Sequence, residues 1–242
     1  MSRHYRISAS FLNAFLQDEA YHGFEDAVKR IPMKPNMFFE FGKWFEDYIR
    51  QIQETGNLEK PAIPNYPDNT DDVDYDEIER YMLDSIGNLE EVEAKKFADE
   101  LGKGTWQDHI QRDMEIEDPK TGEVVIFTLH GFTDFLPELR EKIVDLKTTR
   151  VGKADKLDKK YELSIQHSLY CWILQIPYFE YKTYSTWLRR HVNKAYEVDI
   201  EEFDKTLRLL LINLLNTLYK KGLDDEFEKN FSVDSERIKA NS

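Results

Sequence analysis

Apolar positions recur along this chain with two different periods. Phe38, Phe41, Phe45, Tyr48, Ile49 and Ile52 fall three and four apart, which predicts a helix over 38–54. Phe11, Leu12, Phe15 and Leu16 form a shorter stripe and predict a helix over 8–22, with Ser8 or Ser10 as its cap. Pro61, Pro64 and Pro67 mark an extended loop. Residues 71–101 read as acidic helix, broken near Gly87-Asn88. Phe203, Leu207, Leu210, Leu211, Leu214, Leu215 and Leu218 give a last amphipathic helix over 200–221.

After Gly104 the period shortens. Strands are expected at 114–117 and 124–129 around the turn Asp118-Pro119-Lys120-Thr121-Gly122, the second continuing as far as Phe135. A turn at 137–140 leads to a third strand at 142–148. A polar loop at 150–157 and a long helix at 158–175 follow, then a strand at 178–186 and a short fifth at 196–198. This order predicts an α/β fold with a central mixed sheet flanked by helices. A single domain over 1–242 is expected: a mainly helical part at 1–104 with an acidic insertion, the sheet core at 105–199, and a helix and tail at 200–242.

Composition narrows the functional classes. With 242 residues, 40% hydrophobic and 33% charged, the chain is long enough for a real core and polar enough to be soluble. No apolar run approaches the roughly 20 residues of a membrane span, and Met1 to Arg6 lacks a signal-peptide apolar stretch. Cys171 is the single cysteine, which excludes an intrachain disulfide framework and an all-cysteine metal or iron–sulfur site. A cytoplasmic setting is expected. The net charge of −14 argues against a general nucleic-acid binder. The charge is uneven, however. Residues 68–100 carry thirteen acids and three bases, whereas 147–160 carry six bases and two acids. Local sign matters more for phosphate contact than the total.

That basic stretch directly follows the pattern that stands out chemically: Gly131-Phe132-Thr133-Asp134, then Ile143-Val144-Asp145-Leu146-Lys147. Acids set in apolar strands are costly to bury unless paired or metal-bound. Asp145 and Lys147 are two apart, so on a strand they share a face. Two carboxylates with a lysine beside them suit a divalent metal, a phosphate and an activated water together. Mg²⁺ or Mn²⁺ prefers hard oxygen ligands. Asp134 and Asp145 are the candidate carboxylates, with the backbone carbonyl of Leu146 as a further oxygen. Lys147 serves the attacking water as base or the phosphate as electrostatic stabiliser; the residues leave both open.

With Gln166-His167-Ser168-Leu169-Tyr170 on the following helix, Asp134 and Asp145-Leu146-Lys147 resemble the PD-(D/E)xK nuclease superfamily, in particular its RecB-type and phage-type exonuclease branch. Gln166 and Tyr170 are four apart and share a helix face. Ile7-Ser8-Ala9-Ser10-Phe11-Leu12 is similar to the S-x-S-x-L opening of these nucleases. Gly42-Lys43-Trp44-Phe45-Glu46 is similar to their G-x-x-x-H helix motif, with Glu46 where a histidine is usual; Glu40 is a weaker competitor. The resemblance implies a restriction-endonuclease-like core and a Mg²⁺- or Mn²⁺-dependent DNA exonuclease without an iron–sulfur cluster. Glu46, Asp134, Asp145 and Leu146 are then metal ligands, and Gln166 and Tyr170 position the substrate. It also implies recombination, repair or phage replication in a bacterial cell or phage-infected host, with a single-strand annealing protein as partner and a homo-oligomer as assembly. A non-catalytic nucleic-acid-binding subunit and a structure-specific endonuclease are the alternatives.

Arg150, Lys153 and Lys156, and Arg189-Arg190-His191, are candidate phosphate contacts. The acidic run from Asp71 to Glu77 lacks calcium-loop spacing and reads as a solvated helix start. His130 and His167 read as surface or as support for the site. Trp106, Trp172 and Trp187 read as core or rim.

Overall fold

A computed structural model describes residues 3–17, 23–70, 72–150 and 161–233. Its elements run β1 (Arg3–Ser8), α1 (Ala9–Gln17), α2 (Phe24–Val28), α3 (Met37–Thr55), α4 (Tyr75–Asn88) and α5 (Glu91–Leu101). Then come β2 (Gly104–Glu117), β3 (Val124–Pro137), β4 (Ile143–Thr149), α6 (Gln166–Leu174), β5 (Tyr178–Ser185), β6 (Arg190–Glu197), α7 (Ile200–Lys221) and α8 (Asp224–Phe231). The expected architecture is observed: a mixed six-stranded sheet flanked by helices. The sheet order is β1-β3-β4-β5-β6, and β2 pairs the length of β3 on its other side.

The helix ends follow local chemistry. Asn36 caps α3 by accepting from the Phe39 N–H at 3.0 Å, and Gly56 closes it in the left-handed conformation. Asp199 and Gly222 do the same for α7. The acidic stretch is broken where expected, at Leu89 and Glu90 between α4 and α5. No helix among the described residues is long and apolar enough to cross a membrane.

Three expectations need correction, and one strand was not expected. Residues 3–8 form that strand, β1, which lies parallel to β3 through pairs such as Ile7↔Leu129. Only Tyr5 and Ile7 mark its alternation, so the pattern was too short to read. β2 begins at Gly104, ten residues before the expected strand, because none of its first six positions is fully buried. β6 spans Arg190–Glu197 instead of three residues, and it too has no fully buried position. The helix expected over 158–175 is interrupted: Tyr161 and Glu162 are helical, residues 163–165 are not, and α6 begins at Gln166. The Asn13 side chain accepts from the Ile165 N–H at 2.9 Å at its start, a contact made across the fold. Residues 151–160 lie outside those described.

Two cores separate the helices. The larger, on one face of the sheet, joins α1, α2, α6, α7 and α8 to Tyr5, Phe127, Leu129, Phe179 and Tyr181. The smaller joins α3, α4 and α5 to Phe135, Val144, Leu146 and Tyr184. On β4, Ile143 faces the first core while Val144 and Leu146 face the second. Strand alternation therefore turns Asp145 and Lys147 toward the α6 side.

Candidate active site

β3 and β4 are antiparallel, with Phe135 paired to Val144. One step further the ladder would set Asp134 opposite Asp145. There a side chain takes over from the backbone: the Leu146 N–H donates to Asp134 Oδ2 at 2.7 Å. The two acids expected from the sequence are thus brought together at the point where the strand pair ends. Leu146, expected to offer its carbonyl, presents its N–H to Asp134 and packs its side chain into the smaller core.

Asp145 is only 1% exposed. Gln166 Nε2 donates to its Oδ1 at 2.7 Å, and Lys147 Nζ lies 2.6 Å from its Oδ2. Among the described residues Lys147 is the partner that meets Oδ2, outside ideal hydrogen-bond geometry. Burial pushes the Asp145 carboxyl well above the usual carboxylate range, the neighbouring Asp134 charge adds to this, and Lys147 opposes it. For Lys147, burial favours the neutral amine, but Asp145 and Asp134 outweigh it and hold the group as an ammonium. The lysine side chain stays one-third exposed, at 34%, so it can meet an incoming anion.

Tyr170 links the helix to the strand bearing Asp134. A Cβ added at Gly131 would come within 2.5 Å of the Tyr170 ring and hydroxyl. The glycine of the G-x-x-D segment is therefore a seat for the tyrosine of the Q-x-x-x-Y helix. Burial first, then the Asp145 charge, pushes the Tyr170 phenol up to about 12, so it keeps its proton.

Glu46 reaches the site from α3. One turn earlier Gly42 lies against β4, where a Cβ would touch Thr148 Oγ1 at 3.4 Å. Glu46, one turn further on, lies near enough for the Asp134 charge to act on its carboxyl. Burial and the Asp134 charge both raise the Glu46 carboxyl, while a hydrogen bond from Gln107 Nε2 to its Oε1 at 2.9 Å works the other way. Glu40, the competing acid, instead lies 3.8 Å from Lys43.

Among the described residues no group of three His, Cys, Asp or Glu side chains converges on a cation. Gln166 and Lys147 engage Asp145, the Leu146 N–H engages Asp134, and Gln107 engages Glu46. In kind, the donors fit a hard divalent cation. The charge of Asp134 raises both neighbouring carboxyls, and among the described residues the buried Asp145 Oδ2 has the Lys147 ion pair but no well-aligned donor.

The remaining expected residues divide. Arg150, just past β4, lies with its guanidinium 5.5 Å from the Tyr81 ring centre. Lys153 and Lys156 lie outside the described residues. His191 is not a surface phosphate contact: it packs edge-on against Phe97 with ring centres 4.6 Å apart. His167 is likewise interior, stacked on Tyr196. Trp172 is core, Trp106 partly buried against the smaller core, and Trp187 70% exposed beyond β5. A cavity of about 640 Å³ lined by Arg6, Ser8, Ser10, Asn13, His130 and Phe132 flanks Gly131. A larger one of about 900 Å³, between Lys142, Tyr178 and Glu197, contains none of the expected residues. Sequence reasoning missed Gln107, because nothing in a strand pattern marks an unusual backbone angle.

No protein-family model matches the sequence, and no curated protein matches it significantly. Among solved structures, the fold is similar to a phage-related exonuclease from Haemophilus somnus 129PT, at 12% identity and a TM-score of 0.39, over 90% of this chain and 96% of that one. It is also similar to the protein SSO0001, at 13% identity and a TM-score of 0.35, over 84% of this chain and 82% of that one. At these levels of similarity, the functional reading rests on the chain's own residues.

Proposed function

We propose that this chain is a nuclease that hydrolyses phosphodiester bonds in DNA with Mg²⁺ or Mn²⁺, acting as an exonuclease on linear ends. The observation that carries this reading is the placement of Asp134 beside Asp145 at the end of the β3–β4 ladder, with Lys147 and Gln166 both on Asp145. A purely structural acid pair gains nothing from mutual repulsion, so a cationic occupant gives the arrangement its purpose.

Asp134, Asp145 and Glu46 are the residues that would hold the cation, with Leu146 beside them. Bound there, the metal supplies an activated water and offsets phosphate charge. Lys147, held as an ammonium and partly exposed, meets the phosphate as an electrostatic stabiliser. Gln166 orients Asp145, and Tyr170 fixes the distance between α6 and β3. Arg150 and Lys153 follow the site in sequence and suit backbone phosphates. A place in recombination, repair or phage replication, a single-strand annealing partner and a homo-oligomer belong to the same reading.

The test is degradation of end-labelled linear DNA with each cation, beside a covalently closed single-stranded circle. Release of label from linear DNA with the circle intact is expected. Cleavage of the circle would make the protein an endonuclease. Binding of DNA without cleavage under either cation would make it a non-catalytic binding subunit.

A further inference from the structure

Gln107 lies inside β2 with φ of 52°, a left-handed angle that a residue with a side chain seldom adopts within a strand. The β2–β3 register runs unbroken on both sides, through Trp106↔Phe135 and Asp108↔Thr133, and the pair between them is absent. The position opposite Gln107 is Asp134. A strained backbone angle opposite a site acid calls for a cause.

The cause lies in where two adjacent side chains point. Trp106 Nε1 donates to Gln53 Oε1 at 3.1 Å, and Gln107 Nε2 donates to Glu46 Oε1 at 2.9 Å. Gln53 and Glu46 are two turns apart on α3, on the same side of that helix. Successive residues of a regular strand face opposite sides of a sheet. Trp106 and Gln107 can therefore both reach α3 only if the strand is broken between them. The left-handed angle supplies that break and aims the Gln107 amide at Glu46.

We propose that Gln107 is a positioning residue that orients the Glu46 carboxylate, so that it can serve as a third oxygen donor when a divalent cation binds at Asp134 and Asp145. The inference rests on the metal-dependent reading above. An amide N–H suits the task, because it donates to one carboxylate oxygen and leaves the other oxygen free. Residues that orient ligands in this way commonly contribute about 10- to 100-fold to metal affinity.

The experiment is Mn²⁺ binding by the full chain, followed by calorimetry and by the electron paramagnetic resonance of bound Mn²⁺, with Tm measured in parallel. Gln107→Gly removes the amide and accepts the backbone angle without a side-chain clash. It is expected to weaken Mn²⁺ binding about tenfold while Tm stays level or rises. Gln107→Ala, which keeps a Cβ, is expected to show the same loss of affinity. Glu46→Gln is expected to weaken binding at least as much, and the Glu46→Gln/Gln107→Gly double variant no further. Mn²⁺ affinity within twofold of wild type in Gln107→Gly, or losses that simply add in the double variant, would overturn the role of Gln107 and leave the metal site standing. Wild-type protein that binds no Mn²⁺ would overturn the metal reading and this inference with it.

Discussion

Asp118 and Asp145 are both 1% exposed, yet their surroundings treat them in opposite ways. Asp118 sits in the turn between β2 and β3. Its Oδ1 accepts from the N–H groups of Lys120 and Thr121 at 2.7 and 3.2 Å, and its Oδ2 is met by Arg3 and by the Tyr219 hydroxyl. Burial alone would raise this carboxyl, but the donors from Tyr219, Lys120, Arg3 and Thr121 outweigh it and hold it below the usual range. Among the described residues Asp145 has a directed donor in Gln166, an ion pair with Lys147, and a second acid nearby, and it is pushed up. One buried acid is fully satisfied and ties β1, the β2–β3 turn and α7 together. The other is left wanting positive charge. A buried carboxylate is therefore a functional candidate according to its partners, and depth alone says little.

The strongest way to break this comparison is to neutralise each acid. Asp145→Asn and Lys147→Ala are each expected to lower the initial rate of DNA cleavage about 10²- to 10³-fold. Asp145→Asn should shift stability by no more than about 1 kcal/mol, because the lost ion pair is offset by relief from Asp134. Full cleavage by either variant, free of contaminating nuclease, would remove the site from consideration. Asp118→Ala should do the reverse. Loss of a buried carboxylate with four donors costs about 2–3 kcal/mol, reduced from the full buried-pair value because Arg3 is a quarter exposed. Tm should fall by about 5–10 °C, with cleavage per folded molecule unchanged. An unchanged Tm would show that Asp118 is as unsatisfied as Asp145.

His167 sharpens the contrast, as a buried group whose Nδ1 has no hydrogen-bond partner among the described residues. Burial lowers its pKa to about 4, from an ordinary value of 6.5. The unfolded chain binds a proton at His167 more readily than the folded one. Its contribution is thus fully present above pH 6.5 and is lost as pH falls toward 4, by about 2–3 kcal/mol. Urea titrations across that range should show this loss in wild type and a shallower one in His167→Phe, which keeps the stacking on Tyr196. Equal slopes would mean that His167 takes up its proton while folded. The smallest effect is expected from Gly131→Ala, whose methyl must displace Tyr170. A loss of about 1–2 kcal/mol is expected, with slower cleavage as α6 and Gln166 shift. Normal Tm and rate together would mean that the Tyr170 seat has slack.

Much of this could be read before the fold was known, and the unread parts share a cause. Asp134, Asp145, Lys147, Gln166 and Tyr170 were visible because each motif spans a few residues at helix or strand spacing. β1 was not, because six residues with two buried positions carry little periodicity. Its place is settled by the partner it finds in β3, more than 100 residues away in sequence. His191 reads as exposed and basic beside Arg189 and Arg190, but packing against Phe97 from α5 puts it inside.

By itself the sequence determined the alternation of helix and strand and the presence of two acids and a lysine in strand context. These follow from local sterics and apolar period, both of which act within a few residues. The tertiary structure alone decided that Gly131 seats Tyr170, that Asp118 is satisfied while Asp145 is not, and that β2 breaks at Gln107 to reach Glu46. Each of those depends on which groups from distant segments share a small volume, where desolvation and hydrogen-bond geometry set the energy. No local pattern encodes that sharing.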